Sequence, residues 1–247
     1  MAICVGYFEG TDSRDTVGRC TVAGFVAPKA RWRFFEDKWA RALHGEGLTA
    51  FSGRDFLAVS GEYAGWKGDG ERRARLIETL STLTDRHVMA GFSCSILDDD
   101  YEDLNHEYRF AELASGPYGL CAGFVMARVQ RWMAAHHPED QTLFVFEDGD
   151  LDHHEIRRIL NAQGIDKGEP PQMWPRRWRD EQGRRRVLRP FEACDLLLPA
   201  CKSRLGDLLS ARSAFECEGI SLERMTQICD GLAIGKRSSV SRHELVS

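Results

Sequence analysis

With 247 residues, 43% of them hydrophobic, and a formal net charge of −5, the chain can fill a packed core and is not a globally basic nucleic-acid binder. Its longest apolar run, GLCAGFVMA (119–127), falls far short of the ~20 residues of a membrane span, and MAICVGYFEG has no basic leader before Glu9, which argues against a signal peptide. Eight scattered cysteines without a C-x-x-C pair disfavour a zinc site and a disulfide framework, so a reducing cytoplasm is the expected setting.

Residues 2–9 read as a strand closing on Tyr7, Phe8 and Glu9, and CTVAGFVAP (20–28) as a second. The polar turn GTDSRDTVG (10–18) between them predicts an antiparallel hairpin. Pro28 opens a helix striped by Trp32, Phe35, Trp39, Ala42 and Leu43. FSGRDFLA (51–58) and a Gly-rich loop lead into a second helix, striped by Leu76, Ile77, Leu80 and Leu83. HVMAGFSCSI (87–96) is a third strand. The acidic DDDYED (98–103) leaves it as an exposed loop and helix start, where acids are favoured; holding a cation is the other use of such a run.

A long helix over 117–136 turns Leu120, Phe124, Met126, Val129 and Met133 inward. LFVFEDGD (143–150) is a buried strand that runs straight into Glu147, Asp148 and Asp150. A turn needs only Asp148-Gly149. Glu147 abuts the core, and a charge there requires a partner. A helix over 151–163 stops at Gly164, and an extended basic region fills 170–189. PFEACDLLLPACKSRLGDLL (190–209) is a further helix, with Pro190 near its start and Pro199 expected to kink it. A last helix falls near 221–233.

Without the helices at 29–86 the order is β-β-β-α-β-α-β-α, the element order of the ribonuclease H-like core. The expected fold is a single α/β domain over 1–247. It is a ribonuclease H-like mixed sheet flanked by helices, with a helical insertion after the second strand (29–86) and a C-terminal helical extension (210–247). An ordinary doubly wound sheet is the alternative. In the first arrangement Glu9 ends the first strand, Glu147 ends the fourth, and Asp195 sits in the helix after the fifth. Oxygen-rich acid clusters select Mg²⁺ or Mn²⁺, and two such ions roughly 3.5–4 Å apart drive phosphodiester cleavage. Glu192, three residues before Asp195, shares its helix face as an auxiliary acid, or else favours the helix N-terminus.

GYFEGT, VAGFVAP, AFSGRDF, GPYGLCA, VFEDGD and PFEACDLL, spread over most of the chain, resemble the bacterial domain of unknown function 3800 family (DUF3800), of the ribonuclease H-like clan. The resemblance implies a metal-dependent, nuclease-like hydrolase with catalytic Glu9, Glu147, Asp195 and Glu192, and with Glu9, Glu147, Asp195 and Asp55 as candidate metal ligands. The family carries an Asp-Glu pair after the first strand, a Gln-x-x-Asp motif in the late helix, and often His where this chain has Ser52. Here the pair is Glu9-Gly10: one acid is longer by a C–C bond, about 1.5 Å, and the other is missing. Glu192-x-x-Asp195 adds an acid. These departures raise a second expectation, a catalytically degenerate fold that binds nucleic acid or a protein.

Between 176 and 189 lie Arg176, Arg177, Arg179, Arg184, Arg185, Arg186 and Arg189, with Trp174 and Trp178 among them. Arginine pairs with phosphate and aromatics stack on bases, so Arg176, Arg177, Arg184, Arg185, Arg186 and Trp178 are candidate nucleic-acid contacts. The plainer reading is a solvated hairpin turning at DEQGR. His153 and His154 fit either a proton shuttle or the first turn of a solvated helix, and Cys194 and Cys201 read as core thiols. Phosphate-loop, serine-elbow and H-E-x-x-H motifs do not occur.

Overall fold

The computed structural model describes residues 1–11, 18–108, 116–148, 171–179, 181–183, 185–200 and 215–219. Strands β1 (Ile3–Thr11) and β2 (Arg19–Pro28) pair antiparallel, with Cys4 opposite Pro28 and Thr11 opposite Thr21. β3 (Ala90–Leu97) pairs antiparallel on the other side of β2. β4 (Gln141–Glu147) runs parallel to β1, and the short β5 (Gln172–Trp174) parallel to β4. β6 (Arg177–Arg179) and β7 (Arg185–Val187) form a separate hairpin. β8 (Phe215–Gly219) adds parallel to β3, completing a mixed sheet in the order β5-β4-β1-β2-β3-β8.

The strands at the centre are buried on both faces, which explains why β2 reads as a continuous apolar run rather than an alternation. On one face, helix α5 (Pro117–His136) packs Leu120, Val125, Met126 and Val129 against Phe8, Phe92, Phe144 and Phe146. On the other lie α1 (Lys29–Gly45), α2 (Gly53–Ala58), a 3-10 helix (Gly61–Trp66), α3 (Gly70–His87) and α6 (Arg189–Ala200). Their Trp32, Phe35, Trp39, Leu80, Phe191 and Leu197 close over Val5, Phe25 and Val145. The α/β class expected from the sequence holds. The segment between β2 and β3 packs directly on the sheet and supplies much of this second layer.

Three expectations need adjusting. The acidic run at 98–103 belongs to α4 (Asp98–Glu107), whose Tyr101 and Leu104 are buried, so it is the start of a packed helix and not an exposed loop. Residues 215–219, placed in a helical extension, form β8; Phe-Glu-Cys-Glu-Gly alternates apolar and polar with the period of a strand. β1 runs on to Thr11, so Glu9, expected to end the first strand, lies two residues inside it, while α6 begins at Arg189 and keeps Pro190 near its start as expected. The helices expected at 151–163 (with His153 and His154) and 221–233, together with Asp150, Arg184 and Cys201, lie outside the described residues.

Candidate functional site

Strand parity builds the site. Phe8 of β1 lies beside Phe146 of β4, and both turn toward α5. The next residue of each strand must face the opposite layer, so Glu9 and Glu147 emerge together on the side of α6. From α6, Asp195 completes the group. The three acids come to one place, and what they meet there is Arg176, from the connection between β5 and β6. Its Nη2 donates to Glu147 Oε2 (2.7 Å) and contacts Glu9 Oε1, while its Nη1 donates to Asp195 Oδ2 at 2.7 Å. The planar guanidinium fork suits several carboxylates at once. The backbone of Arg176 is pinned by the Leu188 amide, which donates to its carbonyl at 2.9 Å.

Three carboxylates around one guanidinium leave negative charge in a site whose arginine side chain is only 16% exposed. Burial, reinforced by Asp195 and by Glu147, raises the Glu9 carboxyl well above the ordinary glutamate range, with Arg176 pulling the other way. Burial alone would lower the pKa of Arg176, but Glu9, Asp195 and Glu147 outweigh it and the net shift is upward. Among the described residues, Glu9 Oε2 and Arg176 Nε have no hydrogen-bond partner. Beneath the cluster the Cys194 thiol donates to the carbonyls of Tyr7 and Pro190, both at 3.3 Å. Burial first and Glu9 second push its pKa well up, so it is an unreactive core thiol.

The state of Glu9 has a measurable consequence. A carboxyl that holds its proton more tightly when folded contributes stability in full below its unfolded pKa, and loses it as pH rises through the folded one. Glu9→Gln, fixed in the neutral form, should therefore be more stable than the wild type near about pH 8. The expected gain is about 1–3 kcal/mol, the cost of a buried polar group left unpaired, with the difference closing toward acid pH. Urea melts across pH measure it; a variant less stable at about pH 8 would show that the charged Glu9–Arg176 pair is net stabilising.

Where the resemblance leads one to expect a second acid, Gly10 lies under the ring of Tyr118. A Cβ built on Gly10 would stand 2.0 Å from Tyr118 Cε2, so the ring fills the space of the missing side chain. Glu192 does not join the cluster. Its side chain is fully buried, accepting from Trp39 Nε1 at 2.7 Å and from Arg189 Nη1 at 2.7 Å. Burial raises its pKa while Arg189 and Trp39 oppose the shift. It is a buried structural ion pair. Asp55 sits in the first turn of α2, where its carboxylate accepts from Ser60 Oγ at 3.1 Å, and Ser52 caps that helix by accepting from the Asp55 amide at 3.3 Å.

The arginine run is divided by the same parity. Arg177 and Arg179 are exposed, whereas Trp178 is half-buried against the α6 layer and meets the exposed Trp174 edge-on at 6.3 Å. Arg186, opposite Trp178, is exposed, and Arg185 pairs with Arg179 across the hairpin. Arg179 also donates to the Gly183 carbonyl at the turn, 2.9 Å. Arg176, expected in this ribbon, belongs to the acid cluster instead, and Trp178 is partly committed to the core. No family model, curated protein or solved structure matches the chain.

The three carboxylates are oxygen donors of the kind a hard divalent ion takes. As arranged, however, the point they share is filled by the Arg176 guanidinium, so the residues do not fit Mg²⁺ or Mn²⁺ in this state. Among the described residues, no group of three or more His, Cys, Asp or Glu is set to hold a metal, and no helix is long and apolar enough to cross a membrane. Sequence reasoning missed Arg176 as the partner of the acids. The available signal was the demand of buried acids for a cation, applied to a neighbouring arginine run.

Proposed function

We propose that the chain is a ribonuclease H-like domain that binds nucleic acid through its arginine hairpin, with a carboxylate centre that its own arginine keeps catalytically silent. The observation that carries this reading is the contact of one guanidinium with Glu9, Glu147 and Asp195. The order β5-β4-β1-β2-β3, with β2 antiparallel to both its neighbours, supports the ribonuclease H-like assignment. So does the origin of the acids: Glu9 near the end of β1, Glu147 at the end of β4, and Asp195 in α6, the helix that follows the β6–β7 hairpin. The outward Arg177 and Arg179, with Arg186 and the exposed Trp174, offer forked donors to phosphates and one aromatic face to a base.

Fluorescence anisotropy with labelled single-stranded and duplex DNA and RNA tests the reading. Arg177→Ala, Arg179→Ala and Arg186→Ala together should weaken binding and flatten its salt dependence by a log–log slope of about 0.7–0.9 per lost phosphate contact. Unchanged affinity and slope would return these arginines to solvated surface. A second reading, metal-dependent phosphodiester hydrolysis through Glu9, Glu147 and Asp195, is favoured by the unpartnered Glu9 Oε2 and by the excess of acids over cations. Mn²⁺-dependent cleavage by the wild type, abolished in Asp195→Asn, would decide for it.

A further inference from the structure

We infer that the nucleic acid on the arginine hairpin is single-stranded, with one unpaired base stacked on Trp174 and the adjoining phosphate on Arg186. This rests on the hairpin being the nucleic-acid contact and narrows what that contact takes.

Trp174 ends β5 and Trp178 is the middle residue of β6; their rings stand edge to face, 6.3 Å apart with planes at 86°. Trp178 is half-buried and packs against the core, so it buttresses the pair. Trp174 is 43% exposed and is the ring that a ligand can reach. It is also held in place. Its Nε1 donates to Gln172 Oε1 at 3.1 Å, and its carbonyl accepts from the Asp148 amide at 2.9 Å. An indole whose polar edge is occupied offers its π-face, and a side chain fixed beforehand loses little entropy on binding.

The arginines give this face its charge. Opposite residues of an antiparallel pair lie on one side of the ribbon, so the exposed Arg186, partner of Trp178, shares the side of the tryptophans. Arg177 and Arg179 alternate to the other side. Across β4 and β5 the register partner of Trp174 is Glu147, followed by the exposed Asp148. A polyanion is repelled there and drawn toward Arg186. The bases of a duplex are already stacked and paired, and freeing one costs both contacts. A single strand presents its bases without that cost, and because every base has a π-face the contact tolerates any sequence.

The test is fluorescence anisotropy of the whole chain with a labelled DNA strand of about ten nucleotides, within the ~4–16 that single-strand sites span. The same strand in duplex, and with abasic positions, completes the set. The wild type should bind the intact strand at least about tenfold more tightly than the duplex at equal salt, with most of that margin lost on the abasic strand. Trp174→Ala should weaken single-strand binding about 5- to 100-fold, the range of one stacked base. Its log–log salt slope should stay unchanged, since no charge is lost, and Trp174→Phe should restore most of the affinity. Arg186→Ala should instead flatten the slope by about 0.7, one phosphate contact on a single strand. Should Trp174→Ala fold poorly, the margin between intact and abasic strands on the wild type carries the test. Duplex bound as tightly as the single strand, or a Trp174→Ala loss equal on both, would overturn the inference while the hairpin remains a nucleic-acid contact. Binding of neither form would sink the hairpin reading as well.

Discussion

Arg176→Met should lose about 3–5 kcal/mol of folding stability near about pH 8, the cost of breaking a buried ion pair from one side. Met keeps most of the stem volume and removes the one cation that, among the described residues, contacts Glu9, Glu147 and Asp195 together. The three carboxylates then face one another in a site closed from most of the solvent. Protonation of Glu9, whose carboxyl is already held above the ordinary glutamate range, relieves the crowding, so the loss should shrink as pH falls, and urea melts at about pH 8 and about pH 5 will show it. The coupling to Glu9→Gln is equally informative: residues in one ionic network deviate from additivity by about 0.5–3 kcal/mol. Here the double variant should be more stable than the sum of the single changes, because it has one charge fewer to leave unpaired. A loss below about 1 kcal/mol at the higher pH would place Arg176 among exposed salt bridges and would undo the account of the centre.

The parts of this centre that the sequence discloses follow from strand periodicity. Phe8-Glu9 and Phe146-Glu147 each put an acid one residue beyond a buried aromatic, and parallel pairing of those strands brings the acids to one face. Helix α5 is legible at both ends because Pro117 opens it and the apolar spacing lasts to Met133, although Phe124, expected inward, is only half-buried. Glu192 shows where spacing misleads. Residues three apart on a helix differ by about 60° around the axis at 3.6 residues per turn. On a helix wedged between the insertion and the sheet end, that angle separates the Trp39–Arg189 side from the Arg176 side. Within the arginine run nothing local marks Arg176: it precedes β6, so the alternation that turns Trp178 in and Arg177 and Arg179 out does not extend to it. The ring of Tyr118 over Gly10 is a contact between distant segments, and no local pattern encodes it.

Arg189→Met should be the other severe change, again about 3–5 kcal/mol near neutral pH. Glu192 has no exposed surface, and Arg189 is its cation, with Trp39 Nε1 and an Arg189 bond to the Thr49 carbonyl (2.9 Å) tying the insertion to α6. Burial already holds the Glu192 carboxyl above its ordinary range against the pull of Arg189. Without that pull its folded pKa rises further, so the penalty should grow with pH and largely disappear in acid. Glu192→Gln in the Arg189→Met background should recover much of the loss, since an amide carbonyl still accepts from Trp39 and no charge is left buried. Strict additivity of the two changes in urea melts would refute the pairing.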